Sequence, residues 1–519
     1  MEALAVVQPQ QRYGDAREKF DRMVRRLESK EALGMTHSDL ERELDKEGRD
    51  LLRSLLQEHL DARSPGQSVE AVIGSDGIDR PRVRLQERHL ETVFGTVTVH
   101  RAGYGQEGTE SLHPLDAELN LPEEIYSLEL RRRVAQEASK SSFDETVESI
   151  RRNTGGEVPK RQIEQLVVRA AQDFDAFYDR GDLQGEQEVQ SGSLLILSVD
   201  GKGVVMRTED LRDATKKAAN ARKHKLTTRL SKGEKRNGKR MATVAAVYTI
   251  APFVRQPEDC LHPRSSLTIP EPRRPRPQNK RVWASLEKSP EEVIAQMFQE
   301  AEYRDPQHQR TWAVMVDGNK TQIRLLRKMA RNKAMDLTII VDLIHVMEYL
   351  WAAGRAFHLE GSEQLERWVL KRALEILRGN GSRVAGGMRR SATRRALPCA
   401  KRKAVDICAR YLVTYSPYLN YHRYLAQGLP IATGVIEGAC RHLVKDRMEV
   451  TGARWSLSGA EAVLRLRALR ASHDFDEYWI FHENREYERN HQSRYANGKV
   501  PLTTSNPLTH KRLRPRIVR

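Results

Sequence analysis

Three carboxylates stand at points where an apolar run stops or a helix-like stretch begins. Asp200 lies in LLILSVDGKG and Asp317 in WAVMVDGNK, so each aspartate follows buried-type residues and precedes glycine. Glu437 lies near the start of GVIEGACRHLVKDRM, which continues in basic residues. Two strand-end aspartates and a helix-borne glutamate suit a pair of divalent cations that act on phosphodiesters. We therefore interpret Asp200, Asp317 and Glu437 as catalytic and metal-binding residues, with two Mg²⁺ or Mn²⁺ ions as cofactors.

Each of these acids also has a simpler interpretation. An Asp-Gly pair after a strand is most often a turn, and Glu437 has Arg441 as an ion-pair partner one helical turn later. Asp342, in IIVDLIHVMEYLW, also ends a β-branched run and competes with Asp317 as the second acid. The residue pattern leaves that choice open. With His345 it forms an Asp-x-x-His pair, which we interpret as an accessory motif in a structural role or lining a DNA groove.

Basic residues are in excess and are clustered along the chain. There are 88 Lys and Arg against 71 Asp and Glu, a formal net charge of +17. The clusters fall at 216–240, 273–281 and 511–519. Such an excess indicates a polyanionic partner, most simply nucleic acid, although a merely solvated basic surface is the alternative. The predicted phosphate contacts are Lys216, Lys217, Arg222, Lys223, Lys225, Arg236, Lys239, Arg240, Arg441, Lys445, Arg447 and Arg454.

The sequence argues against membrane, secreted and zinc proteins. Its apolar runs are far shorter than the roughly 20 residues of a membrane helix. The N-terminus MEALAVVQPQQ lacks the basic region of a signal peptide. The four cysteines form no C-x-x-C pair, so reduced structural thiols are expected. These features predict a cytoplasmic, nucleoid-associated protein with no membrane partner.

Changes in hydrophobic period divide the chain into segments that predict an α/β protein. The helical N-terminal region is followed by a β-hairpin turning at Gly95 and by two helices, 142–152 and 160–178, that fit a helix-turn-helix. The predicted divisions are a helical region 1–80, a hairpin and DNA-binding region 81–190, a core 191–349, a helical insertion 350–430, final core helices 431–484 and a basic polar tail 485–519.

Strands and crossover helices must position the acids. Strands are predicted at 194–199, 241–248, 312–316 and 337–341, and the order strand, helix, strand over 312–341 implies parallel pairing there. Acids at the carboxyl ends of such strands converge at one edge of the sheet. A Gly/Ser/Arg-rich break is predicted at 379–395 within the helical insertion. Residues after about 484 are expected to be extended or disordered.

These segments resemble the DDE transposases of bacterial insertion sequences. More narrowly they are similar to the ISKra family, allied to the Mutator-like transposases. The resemblance covers about residues 85–485. It is carried by the acid-bearing strands, Asp342-x-x-His345, the helical insertion, the block PIATGVIEGACRHLVKDRMEVTGARWS, and the segments TVFGTVTVHRAGY and PLDAELNLP. The block around Glu437 is the most specific of these.

The resemblance implies a ribonuclease H-like catalytic core with an all-α insertion, preceded by a mostly helical DNA-binding region. Asp200, Asp317 and Glu437 would be the first, second and third acids. An Asp-x-x-His pair follows the next strand in such enzymes, where Asp342 and His345 stand, which favours Asp317 as the second acid. The implied activity is binding of terminal inverted repeats, then metal-dependent cleavage and strand transfer into target DNA. A homodimer or larger homo-oligomer on DNA is also implied.

Two other functions and two aromatic residues remain open. A structure-selective nuclease of the same fold would cut DNA but not join it, and a DNA-binding regulator descended from a transposase would do neither. Trp351 and Trp455 either pack in the core or stack on a flipped base. The Pro/Arg-rich stretch 257–281 has no counterpart in the resemblance.

Overall fold

The chain forms two compact units, of which the computed structural model describes residues 13–180, 194–221, 226, 228–229, 231, 237–261, 274–432 and 434–504. One unit comprises Met1–Phe177 with Phe475–Arg519, and the other comprises Tyr178–Asp474. The first and the last parts of the described chain therefore both belong to the first unit. Among the described helices, none has the combined length and apolar character needed to cross a bilayer.

The first unit begins with three helices and a hairpin. The helices are α1 (Gly14–Leu27), α2 (Lys30–Leu33) and α3 (His37–Arg63), and the short strand β1 (Gln67–Ser68) follows. The hairpin consists of antiparallel strands β2 (Arg82–Thr92) and β3 (Gly95–Gly105), with Thr92 opposite Gly95. The chain thus reverses at Gly95 as predicted. Leu90, Val97 and Val99 of the hairpin form a core with Leu60 of α3.

Five helices follow the hairpin: α4 (Pro114–Glu118), α5 (Leu128–Lys140), α6 (Phe143–Asn153), α7 (Lys160–Ala170) and α8 (Phe174–Asp179). Ser142 and Glu145 form a capping box at the start of α6, which fixes where that helix begins.

Helices α6 and α7 lie where they were predicted, although the second ends at Ala170 and α8 follows it. The link between α6 and α7 does not have the length of a helix-turn-helix turn. It spans residues 154–159, which is longer than the three- or four-residue turn of that motif. Gly155 donates its N–H to the Val93 carbonyl at 2.8 Å. A Cβ at Gly155 would lie 2.5 Å from the Phe94 carbonyl oxygen. Close packing on the hairpin turn therefore accounts for this glycine.

The second unit is built on a mixed five-stranded sheet. Its strands are β4 (Leu194–Val205), β5 (Lys239–Ile250), β6 (Gln278–Ser285), β7 (Trp312–Val316) and β8 (Thr338–Val341), in the order β6-β5-β4-β7-β8. β5 pairs antiparallel with both β4 and β6, whereas β7 pairs parallel with β4 and with β8. With the helices around it, this sheet confirms the predicted α/β class.

Two features of the sheet differ from the prediction. β4 does not end at Asp200 but continues to Val205, because β5 pairs with it as far as Lys239. β7 pairs with β4 only through Val199, so Asp200 ends the parallel part of the strand. β6, after the Pro/Arg-rich stretch, was not predicted, and residues 262–273 of that stretch lie outside the described residues.

Helices surround the sheet and continue beyond it: α9 (Asp213–Asn220), α10 (Pro290–Arg304), α11 (Lys320–Asn332), α12 (Leu343–Gly354), α13 (Glu363–Leu377), α14 (Gly381–Arg394), α15 (Cys399–Thr414), α16 (Tyr421–Ala426), α17 (Gly434–Gly438), α18 (Asp446–Met448) and α19 (Leu457–Ser472). A π-helical segment, Ala439–Lys445, joins α17 to α18. The predicted break at 379–395 is wrong, because α14 occupies it. Val384, Ala385, Met388 and Ala392 of α14 are buried, and α14 packs on α15.

The chain after Asp474 returns to the first unit as α20 (Phe475–Asn490) and β9 (Thr503–Thr504). β9 pairs with β1. Tyr495 is buried in a core with Val72, Ala102 and Tyr104. The expectation of an extended or disordered tail from about residue 484 is therefore wrong as far as residue 504, and residues 505–519 lie outside the described part of the chain.

Candidate active site

The parallel strands bring three aspartates level with one another. Val199 of β4 pairs with Val316 of β7, and Val316 pairs with Val341 of β8. The residue that follows each of these valines in the chain is an aspartate: Asp200, Asp317 or Asp342. Because neighbouring parallel strands run in the same direction, these three residues lie at one edge of the parallel part of the sheet. The predicted convergence is therefore observed for the three strand-borne acids.

Asp200 is half-buried and connects the sheet to the helix that carries Glu437. Its Oδ1 accepts the Gly201 N–H at 2.6 Å, and the Cys440 thiol donates to its Oδ2 at 3.2 Å. Cys440 lies in the π-helical segment that continues directly from α17. Burial raises the pKa of the Cys440 thiol, and the Asp200 charge raises it further. The thiol therefore stays protonated and acts as a hydrogen-bond donor. No signal in the sequence marked Cys440 as a site residue.

The loop that carries Asp317 is fixed by α15. Asp317 Oδ1 accepts the Asn319 N–H at 2.8 Å, and the Tyr411 hydroxyl donates to the Asp317 carbonyl at 3.0 Å. The Tyr415 hydroxyl donates to the Gly318 carbonyl. Gly318 has φ +95°, and a Cβ there would lie 2.8 Å from the Tyr411 hydroxyl oxygen. Glycine is thus required both by the backbone conformation and by the tyrosine.

Asp317 has a raised pKa. Burial is the main cause, and the Asp200 charge acts in the same direction. The Asn319 N–H and His345 lower the pKa, though by less. Asp317 is therefore close enough to both Asp200 and His345 to feel their charges.

Glu437, in the single turn of α17, has a raised pKa for similar reasons. Burial is again the main cause, the charges of Asp342 and Asp200 add to it, and His345 opposes it. Arg441 Nε lies 3.9 Å from Asp446 Oδ1, so the alternative in which Arg441 pairs with Glu437 is not observed. Glu437 thus shares one electrostatic environment with the strand-borne acids.

Asp342 and His345 complete this group, but Asp342 has a structural task. It is 3% exposed, and its Oδ1 accepts the Ile344 N–H at 2.7 Å as the N-cap of α12. His345, in the first turn of α12, is partly exposed and its Nδ1 lies 3.4 Å from Glu348 Oε2. Asp342 therefore holds the start of the helix that presents His345 to Asp317 and Glu437.

The acids of this site lack basic partners. In the described part of the chain, no Lys or Arg lies within 4.0 Å of the carboxylates of Asp200, Asp317 or Glu437. Within that distance, their negative charges are therefore not compensated by a Lys or Arg of the described chain. An arrangement of oxygen donors with excess negative charge is suited to divalent metal ions.

A second cluster, in the first unit, has the opposite electrostatics. Among the described residues, one group of His, Cys, Asp and Glu has its ligand atoms all within 4.8 Å of one another: Asp173, His482 and Glu486. His482 Nδ1 lies 2.7 Å from Asp173, Arg489 donates to Asp173 at 2.6 Å, and Arg131 donates to Glu486 at 2.9 Å. Each carboxylate already has an arginine partner, so we interpret this group as a buried ion-pair network.

The predicted phosphate contacts fall into four groups. Exposed or half-exposed side chains are Lys216 and Lys217 on α9, with Arg441, Lys445 and Arg454 near the end of the second unit. Lys239 lies 3.2 Å from Glu449 Oε1, so its charge is paired. Four residues lie outside the described part of the chain: Arg222, Lys223, Lys225 and Arg236.

Two of the predicted contacts serve the fold instead. Arg240 donates to the carbonyls of Leu286 at 2.9 Å and Asp210 at 3.0 Å. Arg447 is 2% exposed and its guanidinium lies 4.8 Å from the centre of the Trp455 ring. We therefore no longer include these two arginines among the phosphate contacts.

The two tryptophans also differ. Trp455 is 6% exposed, and its indole N–H donates to the Met448 carbonyl at 3.1 Å. Core packing is therefore its role. Trp351, on α12, is half-buried.

The chain matches no protein-family model, and a comparison with curated proteins finds no match.

Proposed function

We propose that this chain is a DDE transposase of an insertion sequence, with Asp200, Asp317 and Glu437 as its three acids. One observation carries the proposal. Two aspartates at the ends of adjacent parallel pairings and a glutamate on a helix far away in sequence are partly buried and affect one another electrostatically, and no Lys or Arg in the described part of the chain lies within 4.0 Å of their carboxylates. Metal-dependent phosphoryl transfer needs carboxylates in this arrangement.

The sheet supports a ribonuclease H-like core. Three strands run antiparallel to their neighbours in the order β6-β5-β4, and two further strands, β7 and β8, add in parallel on the other side of β4. The first acid lies on the central strand and the second on its parallel neighbour. Helices α13–α16 stand in the chain between β8 and Glu437, where the resemblance places an all-α insertion.

The choice between Asp317 and Asp342 is supported by their hydrogen bonds. Asp317 is half-buried and spends one carboxylate oxygen on the backbone of its own loop. Asp342 is almost wholly buried and caps α12. An acid that must bind a metal ion is better placed at the more accessible position, so we assign Asp317 as the second acid and Asp342 as a positioning residue.

The donor set fits two Mg²⁺ or Mn²⁺ ions. Asp200, Asp317 and Glu437 offer hard oxygen ligands. Burial first, and the charges of neighbouring acids second, raise the pKa of Asp317 and of Glu437, and a bound cation would oppose both effects. When bound, such ions lower the pKa of an attacking water or 3′-hydroxyl and stabilise the departing oxygen. In the protein itself, Cys440 orients Asp200, and Tyr411 of α15 together with Tyr415, which follows that helix, holds the backbone of the Asp317 loop.

DNA is the proposed partner, as terminal inverted repeats and as target. The net charge of +17 supports it. Exposed Lys216, Lys217, Arg441, Lys445 and Arg454 remain proposed phosphate contacts in the second unit. A dimer or larger homo-oligomer on DNA is proposed because two ends must be joined in one reaction.

The test is an end-joining assay with purified full-length protein. Labelled DNA carrying the genomic flanks of this reading frame is incubated with plasmid and Mg²⁺, and cut and joined products are separated. Asp317→Asn and Glu437→Gln should each reduce cleavage by at least about 10³-fold, because a metal ligand contributes several kcal/mol to the transition state. Glu363→Gln, an exposed acid on α13 paired with Arg367, is the matched control and should leave cleavage unchanged.

Three outcomes would contradict the proposal. Nicked products that are never joined would indicate a nuclease. Binding without any metal-dependent cleavage would indicate a DNA-binding regulator. Cleavage that survives Asp317→Asn but is lost in Asp342→Asn would reassign the second acid.

A further inference from the structure

A basic groove runs away from the Asp317 loop along one side of α11. It has a volume of about 900 Å³ and is lined by α11, by the approach to β8 and by the turn between α15 and α16. Lys320, Arg324, Arg327 and Arg331 contribute its charge, and Tyr415 and Tyr418 contribute aromatic surface. Among the described residues that line it, Asp336 is the one acid.

The four cations occupy a single stripe of α11. Their spacings of four, three and four residues place them on one face of the helix. All four are exposed, and within the described part of the chain none has an acidic partner within ion-pair distance. The stripe spans 11 residues, which corresponds to about 16 Å along the helix axis.

The other lysines of this region show that the stripe is distinctive. Lys328 lies 2.8 Å from Glu291, and Lys333 lies 2.7 Å from Glu302, so the cations that face α10 are neutralised by it. Among the described residues, the four cations on the groove face have no such acidic partner. An unpaired row of four cations on an ordered helix is suited to a row of phosphates.

The aromatic side of the groove adds a second requirement. Tyr418 is half-buried, and the Arg327 guanidinium lies 5.0 Å from the centre of its ring. A flat cation over an aromatic ring occupies the position that a stacked base would take. In a duplex both faces of each base are already stacked on neighbouring pairs, so a tyrosine can stack only on an unpaired base or a strand end.

One end of the groove adjoins the acids. Lys320 follows Asp317 by three residues, and the Tyr415 hydroxyl donates to the Gly318 carbonyl. A strand that lay along the stripe would therefore have one end beside the second acid. The resemblance that led to the three acids does not involve this groove.

We propose that the α11 groove binds an unpaired DNA strand adjacent to the scissile phosphate, with phosphates on the four cations and a base stacked on Tyr418. That the strand is DNA rests on the proposed function. That it is single-stranded rests on a row of cations beside a half-buried tyrosine ring, over which a base would replace the Arg327 guanidinium.

The test measures binding of a labelled 16-nucleotide oligothymidine by fluorescence anisotropy, with full-length protein carrying Asp200→Ala to prevent cleavage. Tyr418→Ala should weaken binding about 5- to 150-fold, the range for losing one base stack, and Tyr418→Phe should restore it. Arg324→Gln should lower the slope of log affinity against log salt by about 0.7, the value for one phosphate contact on a single strand. Lys328→Gln removes the same charge from the same helix outside the groove and should leave the slope unchanged.

Several results would overturn the proposal. Equal losses in Arg324→Gln and Lys328→Gln would mean that only net charge matters. Binding of a matched duplex as tightly as the single strand, with no effect of Tyr418→Ala, would make the groove a duplex surface. Tighter binding of the corresponding ribo-oligomer would assign it to RNA.

The two proposals fail separately. Loss of metal-dependent cleavage in the end-joining assay with groove binding intact would reject the transposase and keep the groove. Normal cleavage and joining by Tyr418→Ala protein that binds oligothymidine like the parent would reject the groove alone.

Discussion

Asp342 offers the sharpest test of how the site is assembled, because its capping role and its charge can be separated. Its Oδ1 accepts the Ile344 N–H at 2.7 Å at the start of α12. Asp342→Asn removes the charge but keeps an oxygen that can cap the helix, and Asp342→Ala removes both. The difference between the two variants therefore isolates the cap.

The expected loss in the free energy of unfolding follows from the measured contribution of such N-caps. Replacing an N-cap aspartate or asparagine by alanine costs about 1 kcal/mol, within a range of about 0.5–2 kcal/mol. Asp342→Ala should thus unfold with a free energy about 1 kcal/mol below that of Asp342→Asn. For a unit the size of Tyr178–Asp474, this corresponds to a lower midpoint by about 2 °C. Thermal unfolding of the metal-free proteins, followed by circular dichroism, measures it.

The charge has its own consequence. Asp342 contributes to the raised pKa of Glu437, so Asp342→Asn should lower that pKa and shift the acidic limb of the cleavage pH profile to lower pH. Cleavage at neutral pH should stay within about tenfold of the parent protein. Equal stability of the two variants would refute the capping argument, and loss of cleavage in Asp342→Asn as complete as in Asp317→Asn would refute the positioning role.

Two further predictions concern the remaining members of the site. Cys440→Ser should keep cleavage near that of the parent because a hydroxyl can still donate to Asp200, whereas Cys440→Ala should reduce cleavage several-fold. Burial and Asp200 raise the pKa of this thiol, so its alkylation should be slow in the folded protein. Rapid labelling at neutral pH would contradict its role as a buried donor. Folding raises the pKa of Asp317 and of Glu437 above the ordinary value of each group, so the metal-free protein should lose stability as pH rises from the ordinary pKa through the raised one. At neutral pH Asp317→Asn or Glu437→Gln should therefore melt higher than the parent, and the parent alone should gain strongly from Mg²⁺. A lower melting temperature for both variants at neutral pH would reverse that argument.

The three acids at the strand ends could be predicted because an apolar run followed by Asp is typical of a buried strand that ends there. Their alignment could be inferred only from the expected parallel pairing. The register that makes Val199, Val316 and Val341 neighbours depends on long-range packing. The extension of β4 to Val205 was missed for the same reason, because its partner β5 lies beyond a long basic segment.

Other parts of the structure depend on contacts that local pattern does not reveal. Residues 379–395 are rich in Gly and Ser, which are poor indicators of a helix, yet buried Met388 and its neighbours anchor α14 on α15. Tyr495 looked like part of a polar tail, but the core of the first unit supplies the apolar surface that orders it. Cys440 could not be found from sequence because its role requires Asp200, which precedes it by 240 residues.

The hydroxyls of Tyr411 and Tyr415 have a consequence for the order of events during synthesis. All five strands of the second-unit sheet have been made once residue 341 has left the ribosome, but Tyr411 lies 94 residues beyond Asp317 and Tyr415 lies 97 residues beyond Gly318. A nascent chain therefore completes its sheet well before the second acid is held in place, and Glu437 follows later still. An unfinished chain therefore lacks the fixed Asp317 loop and Glu437, both of which the proposed DNA cleavage requires.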